Sequence, residues 1–453
     1  MTIATQNPVT GETLETFPAL DNTQVDQVLQ QVHAASIGWT ATPIAARAAC
    51  LRGAAQQLRR EHERYARLIT LEMGKVLHEA QAEVKKCALG CEFYAEHAQA
   101  FLADEIVASD ASRSLVTYQP LGTVFAIMPW NFPFWQAFRA AIPALAAGNT
   151  VLLKHASNVP QCALAIEEVF RNSCPADVLR TVLIGPQQAE ALIGDTRIHA
   201  VTLTGSEGAG RRIAAAAGLH LKKSVLELGG SDAFVVLADA DLDETVRVAV
   251  ASRFQNAGQS CIAAKRFILV PEIAEEFLQR FKKRITVLKQ GDPFNPETNL
   301  GPLARADLRD TLHRQVTESI QQGAVPLLGC EPMAGPGFHY KVSILDQVQP
   351  GMPAYQEELF GPVAAVLRAK NADDALRLAN DSRFGLGGSV WTRDLAKGEA
   401  FVRALHSGQG FVNGMVKSDP RLPFGGVKAS GYGRELSLHG IREFVNSKTI
   451  WIL

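Results

Sequence analysis

Cys261, in the stretch FQNAGQSCIAAKRF, stands among small and polar residues in a glycine-containing loop, a setting that suits a reacting thiol. A free thiol with a pKa near ~8.5 is only slightly ionised at neutral pH, so a nucleophilic cysteine needs a base, a dipole or a positive neighbour. Glu227, in SVLELGGSDAF, closes a short apolar run just before Gly229 and Gly230. Apolar surroundings disfavour an ionised carboxyl, which suits a general base working near neutrality. Asn131, in VFAIMPWNFPFW, lies with Trp130 and Phe132 between Pro129 and Pro133, in a turn rigid enough to aim its amide at a developing oxyanion. An inert loop cysteine, an ion-paired carboxylate and a turn-forming asparagine are the plainer alternatives for the three.

The segment HAVTLTGSEGAGRRIAAAA adds a run of strand type, then Gly205, Ser206, Gly208 and Gly210, then a helix. Such a turn brings backbone N–H groups and a helix amino end close to a phosphate. An ordinary tight strand-to-helix turn reads almost the same, because the spacing is not G-x-G-x-x-G.

The elements that must position these groups read as mixed α/β. Residues 22–104 carry helical periodicity, with Pro43 where a first turn would start. SLVTYQPL and TVFAIMPW follow as β-rich pieces. From residue 134 to about 227, the runs TVLLK, TVLIG and HAVTLTG alternate with helical segments, which marks βαβ units and a parallel sheet. A second series, AFVVL, RFILV, VSILD, PVAAVLRA and GGSVWT, predicts a second α/β domain. The end, IREFVNSKTIWIL, makes an exposed strand edge unless it is paired. A neighbour's sheet in a homo-oligomer is the expected partner, with pairing inside the chain as the alternative.

Composition narrows the function classes. The 453 residues are 47% hydrophobic with a formal net charge of -1, which suits several buried cores and gives no footprint for nucleic acid or anionic membranes. No apolar run approaches the ~20 residues of a spanning helix, and the amino terminus lacks a secretory pattern. The odd count of seven scattered cysteines argues for reduced thiols and a cytoplasmic location. Cys87 and Cys91 share a helix face near His97, but their small and apolar neighbours read as core rather than as a metal site.

PWNFP, LLKHAS, LTGSEGAG, LELGG, NAGQSC, EELFGP and PFGGVKASGYGRE stand in an order that resembles the aldehyde dehydrogenase superfamily over essentially the whole chain. The short succinate-semialdehyde dehydrogenases are the most similar group. The resemblance implies a Rossmann-type cofactor-binding domain over 1–110 and 122–228, an α/β catalytic domain over 229–428, and a small β oligomerisation element from 111–121 and 437–453. It implies that Cys261 attacks an aldehyde, that Asn131 and the Cys261 N–H hold the oxyanion, and that Glu227 activates the water that hydrolyses a thioester. Trp130, Lys154, Ser157, Gly205, Ser206, Glu358 and Phe360 fall at cofactor-contacting positions, and no metal is required. A homodimer or homotetramer is expected. A thiol hydrolase or acyltransferase working without a nucleotide is the rival class, and it leaves the LLK and glycine-turn segments unexplained.

Ser157 occupies the position where NAD-preferring members commonly carry glutamate. Without that carboxylate a 2′-phosphate is not repelled and Lys154 is free to pair with it, so NADP is favoured over NAD. Arg139 and Ser418 match positions that bind a remote substrate carboxylate, and Phe132 and Trp135 are candidate tunnel walls. A second arginine found before the nucleophile in some members is replaced by Gln255.

Overall fold

The computed structural model describes residues 2–453. Five parallel strands form one sheet, in the spatial order Lys223–Glu227, Ala200–Thr204, Thr123–Met128, Thr150–His155 and Leu179–Thr181. The short strand Gly431–Tyr432 adds to it antiparallel, with Gly431 opposite Glu227. Near-continuous apolar runs are what a sheet covered on both faces requires, and Ala200–Thr204 is buried throughout. The outermost strand, Leu179–Thr181, starts two residues before the run TVLIG that marks it in sequence, because Val182 to Gly185 already lead into the helix Pro186–Ile193.

The second sheet has seven strands, in the order Val325–Leu328, Ser343–Asp346, Val363–Arg368, Ala264–Leu269, Asp232–Val236, Gly388–Trp391 and Phe411–Val412. Only its first strand runs antiparallel. Helices Asn22–Ala41, Ile44–Arg60, His62–Met73 and Leu77–Phe101 fill the amino-terminal region, and Pro43 stands immediately before the second of them. Cys87 and Cys91 are fully buried on the fourth, where desolvation pushes both thiols up.

The last strand, Val445–Ile452, has a partner within the chain on one of its two edges. It pairs antiparallel with Arg113–Pro120 over its whole length within the chain, and Glu105–Ile106 completes a three-stranded sheet. Eight consecutive register pairs satisfy one backbone edge of this strand, and as the terminal strand of its sheet it keeps the other edge unpaired among the described residues, the edge to which a neighbour's strand or sheet would add. Apolar side chains remain exposed on this unit: Ile106 at 70%, Trp451 at 50% and Leu453 at 90%. No helix among the described residues is long and apolar enough to cross a membrane.

Candidate active site

The loop before Cys261 departs from regular structure at three consecutive residues, Asn256, Ala257 and Gly258, with φ of 55°, 52° and 75°. Left-handed backbone at non-glycine residues persists only where the surroundings over-determine it. Here they do. The buried Arg253 guanidinium donates to the carbonyls of Gly258 (2.7 Å), Ala264 (3.1 Å) and Gly361 (2.7 Å). Lys265, also buried, donates from Nζ to the carbonyls of Ser260 and Cys261, both at 2.7 Å. Desolvation lowers the pKa of both cations, that of Arg253 to about 9. Asn256 donates from Nδ2 to the Asn131 carbonyl (2.7 Å) and receives none of its backbone order from a helix: its own N–H goes to Glu79 Oε2 (2.8 Å).

Asn131 is thereby joined to the Cys261 loop. Its Nδ2 donates to the Gln259 carbonyl at 3.1 Å, two residues before Cys261, and its second N–H remains for a ligand. Its turn is fixed from both ends. Pro133 starts the helix Pro133–Ala147, whose first N–H groups at Phe134 and Trp135 donate to Glu83 Oε1 (2.9 and 3.0 Å). Glu83 is itself held by the buried Lys75. On the other side the His155 Nε2 hydrogen-bonds the Pro133 carbonyl at 2.8 Å, and burial keeps this imidazole neutral, with a pKa of about 4.

Burial pushes the Cys261 thiol up to about 12, while Arg139 and Lys265 pull it back, so the resting group is a thiol. Glu227 lies 2% exposed with neither carboxyl oxygen hydrogen-bonded among the described residues. Desolvation raises its pKa well above the carboxylate range, and the neighbouring Glu435 pushes it the same way against Arg139 and Arg434. The antiparallel strand Gly431–Tyr432 is what delivers Glu435 to this place, and its backbone pairs with Phe424 at 2.7 Å in both directions. Close packing ties the pieces together: a Cβ on Gly230 would stand 2.5 Å from the Cys261 carbonyl oxygen, and one on Gly229 would stand 2.5 Å from Glu358 Oε2.

Cys261 opens on a funnel of ≈ 930 Å³, counted out to its mouth, whose walls include Phe132, Trp135, Arg139, Gln255 and Ser418. The structure thus brings the sequence-predicted tunnel walls and carboxylate-binding residues together around the thiol. Arg139 is not free, however. Glu435 pairs with its guanidinium, which also packs 4.4 Å from the centre of the Phe424 ring.

Away from the funnel, Glu358 accepts from the Gly230 N–H (3.1 Å) and from Lys265 Nζ (3.2 Å), and Phe360 meets Trp130 edge-on at 5.8 Å between ring centres. Lys154 lines a cleft of ≈ 570 Å³ between the helices Pro186–Ile193 and Glu207–Leu219, shared with Ile127, Leu203 and Arg212. Ser157 is exposed and opens on a different pocket, with Asn158 and Arg305.

The glycine-rich turn resolves differently from its sequence reading. Gly205 is the turn and Ser206 caps the helix, its Oγ accepting from the Ala209 N–H at 3.3 Å. Gly208 and Gly210 lie inside the helix. A Cβ on Gly210 would stand 2.6 Å from Leu228, so that glycine serves helix-to-sheet packing rather than phosphate approach.

Sequence reasoning missed Arg253, Lys265, Asn256, Arg212 and Glu435. A signal existed for Lys265, since two adjacent charges, Lys265 and Arg266, in the strand run AKRFIL need a reason to be buried.

The pattern that defines the aldehyde dehydrogenase family matches residues 1–450. A probable NADP+ succinate-semialdehyde dehydrogenase of Synechocystis is 51% identical over 453 residues, covering all of both chains. An NADP+ succinate-semialdehyde dehydrogenase of Mycobacterium tuberculosis is 49% identical, again with full coverage of both. The crystal structure of succinic semialdehyde dehydrogenase from Streptococcus pyogenes in complex with NADP+ superposes with a TM-score of 0.97 at 37% identity and 99% coverage of each chain.

Proposed function

The chain belongs to the aldehyde dehydrogenase family, and from that premise we propose that it oxidises succinate semialdehyde to succinate with NADP+ through a thioester on Cys261. The observation that carries the reading is a single funnel that holds the thiol at one place and Arg139 and Ser418 at another, as an aldehyde with a remote carboxylate requires. Attack of Cys261 on the aldehyde carbon generates an oxyanion, which the free N–H of Asn131 and the Cys261 N–H stabilise. The bound dinucleotide supplies the acceptor for the hydride lost from that carbon. Glu227 then takes a proton from the water that cleaves the thioester, a role suited to a carboxyl whose pKa burial has raised.

The proposed cofactor fits the residues present. Ile127, Leu203 and Ile213 give the cleft apolar walls for an adenine, and Lys154 and Arg212 are two cations without ion-pair partners among the described residues, suited to a 2′-phosphate. Ser157 adds no negative charge, and Glu358 keeps an oxygen available for a ribose hydroxyl. The cofactor-binding domain is assigned to 1–110 and 122–228, the catalytic domain to 229–428, and the oligomerisation element to 111–121 and 437–453. Exposed Trp451 and Ile452 support burial of that last element against another copy in a dimer or tetramer. All seven cysteines are free, which supports a cytoplasmic setting.

A panel of semialdehydes and simple aldehydes assayed with NADP+ and NAD+ tests the reading. The highest kcat/KM is expected for succinate semialdehyde with NADP+; no cofactor reduction with any aldehyde would transfer the case to a thiol hydrolase.

A further inference from the structure

The charged groups of the substrate funnel are almost all spoken for. Lys75 holds Glu83, Glu435 holds Arg139, and Glu79 accepts from the Asn256 N–H. Lys86, half-buried on the helix Leu77–Phe101, is the exception among the cations of that wall: no carboxylate lies within ion-pair distance among the described residues. Its ammonium donates to Ser418 Oγ at 2.7 Å and lies 4.4 Å from the centre of the Trp135 ring. Trp135 Nε1 also donates to Ser418 Oγ, at 2.9 Å.

The arithmetic of donors and acceptors then singles out a ligand. Ser418 Oγ receives two hydrogen bonds, which fills its lone pairs and leaves its own proton to be given away. Lys86 has two further N–H groups beyond the one that Ser418 takes. The cluster is therefore positively charged, rich in donors and without an acceptor of its own, and it sits in the wall of the funnel that reaches Cys261. Gln255, which stands where some relatives place a second arginine, lines the same funnel and brings no charge.

We infer that Lys86, with the Ser418 hydroxyl that it orients, binds the remote carboxylate of the substrate and supplies the cation that Gln255 does not. This rests on the proposed acidic-aldehyde substrate and deepens it. Desolvation, with Arg139 acting the same way, lowers the Lys86 pKa to about 8, while Cys87 and Glu83 on its own helix and Asp419 in the facing loop oppose that fall. The ammonium is thus charged at neutral pH and loses its proton as pH rises past that value, and with it the attraction for a carboxylate.

The test uses the full enzyme and two substrates of similar length, succinate semialdehyde and butanal. Lys86→Met and Lys86→Gln are each expected to lower the ratio of their kcat/KM values, acid over neutral, by about tenfold or more, through KM rather than kcat, the size of one lost charge-assisted hydrogen bond. Lys86→Arg should retain most of the ratio. In the unaltered enzyme the ratio should fall above pH ~8, and in Lys86→Arg it should not. A wild-type preference for the acid aldehyde that survives both neutral substitutions and shows no such fall would overturn the role of Lys86 alone. A wild type with no preference for the acid aldehyde would overturn the substrate reading and this assignment with it.

Discussion

Around Cys261, Arg253 and Lys265 together satisfy backbone carbonyls on both sides of the thiol, and Asn256 locks that loop to the turn of Asn131. In the cleft of Lys154 and Arg212, by contrast, neither cation makes a side-chain hydrogen bond or ion pair among the described residues. The reacting groups are held in place before any ligand arrives, as pre-organised catalysis requires. The cations proposed to bind the cofactor keep their donors free, so binding need not break an internal bond first.

That contrast is exposed most severely at Arg253. Its replacement by methionine leaves several buried carbonyls unpaired and is expected to cost more than about 3 kcal/mol of stability together with nearly all activity, as urea unfolding and turnover would register. A loss below about 1 kcal/mol would mean that the loop is held by something else. Asn131→Ala should leave the fold intact and lower kcat by about 10² to 10³, the usual size for one oxyanion donor; an unchanged kcat would remove Asn131 from the chemistry.

A milder probe is pH. Burial raises the pKa of both Cys261, to about 12, and Glu227, and in the proposed mechanism each acts without its proton. Raising pH increases the thiolate fraction of Cys261, so kcat/KM for a neutral aldehyde should climb by up to about tenfold per unit between about pH 7 and 9. A flat profile would argue for a different activation of the thiol. On the open side of the comparison, Ser157→Glu should shift the NADP-to-NAD preference toward NAD by roughly fivefold to tenfold with little effect on stability. If the preference stays put, the 2′-phosphate is read elsewhere, and Arg212→Ala becomes the substitution to compare.

Much of this was legible in sequence, for identifiable reasons. The parallel strands announce themselves as apolar runs separated by helical periodicity, and Cys261, Glu227 and Asn131 sit in loops whose glycines and prolines have a local meaning. The supporting groups carry no local mark. Arg253 and Lys86 look like ordinary helix-surface charges until the fold buries one and turns the other into the funnel. Gly210 looked like part of a phosphate loop because its spacing to Gly205 is visible and its contact with Leu228 is not. The partner of Val445–Ile452 was equally hidden, since a strand edge states that it needs pairing without stating with whom.

The most direct measurement is a single turnover of Glu227→Gln with succinate semialdehyde and NADP+, followed by mass analysis of the quenched protein. One equivalent of reduced cofactor should form in a burst, turnover should then stall, and the succinyl mass should sit on the peptide that carries Cys261. Normal steady turnover with no burst and no adduct would contradict the account.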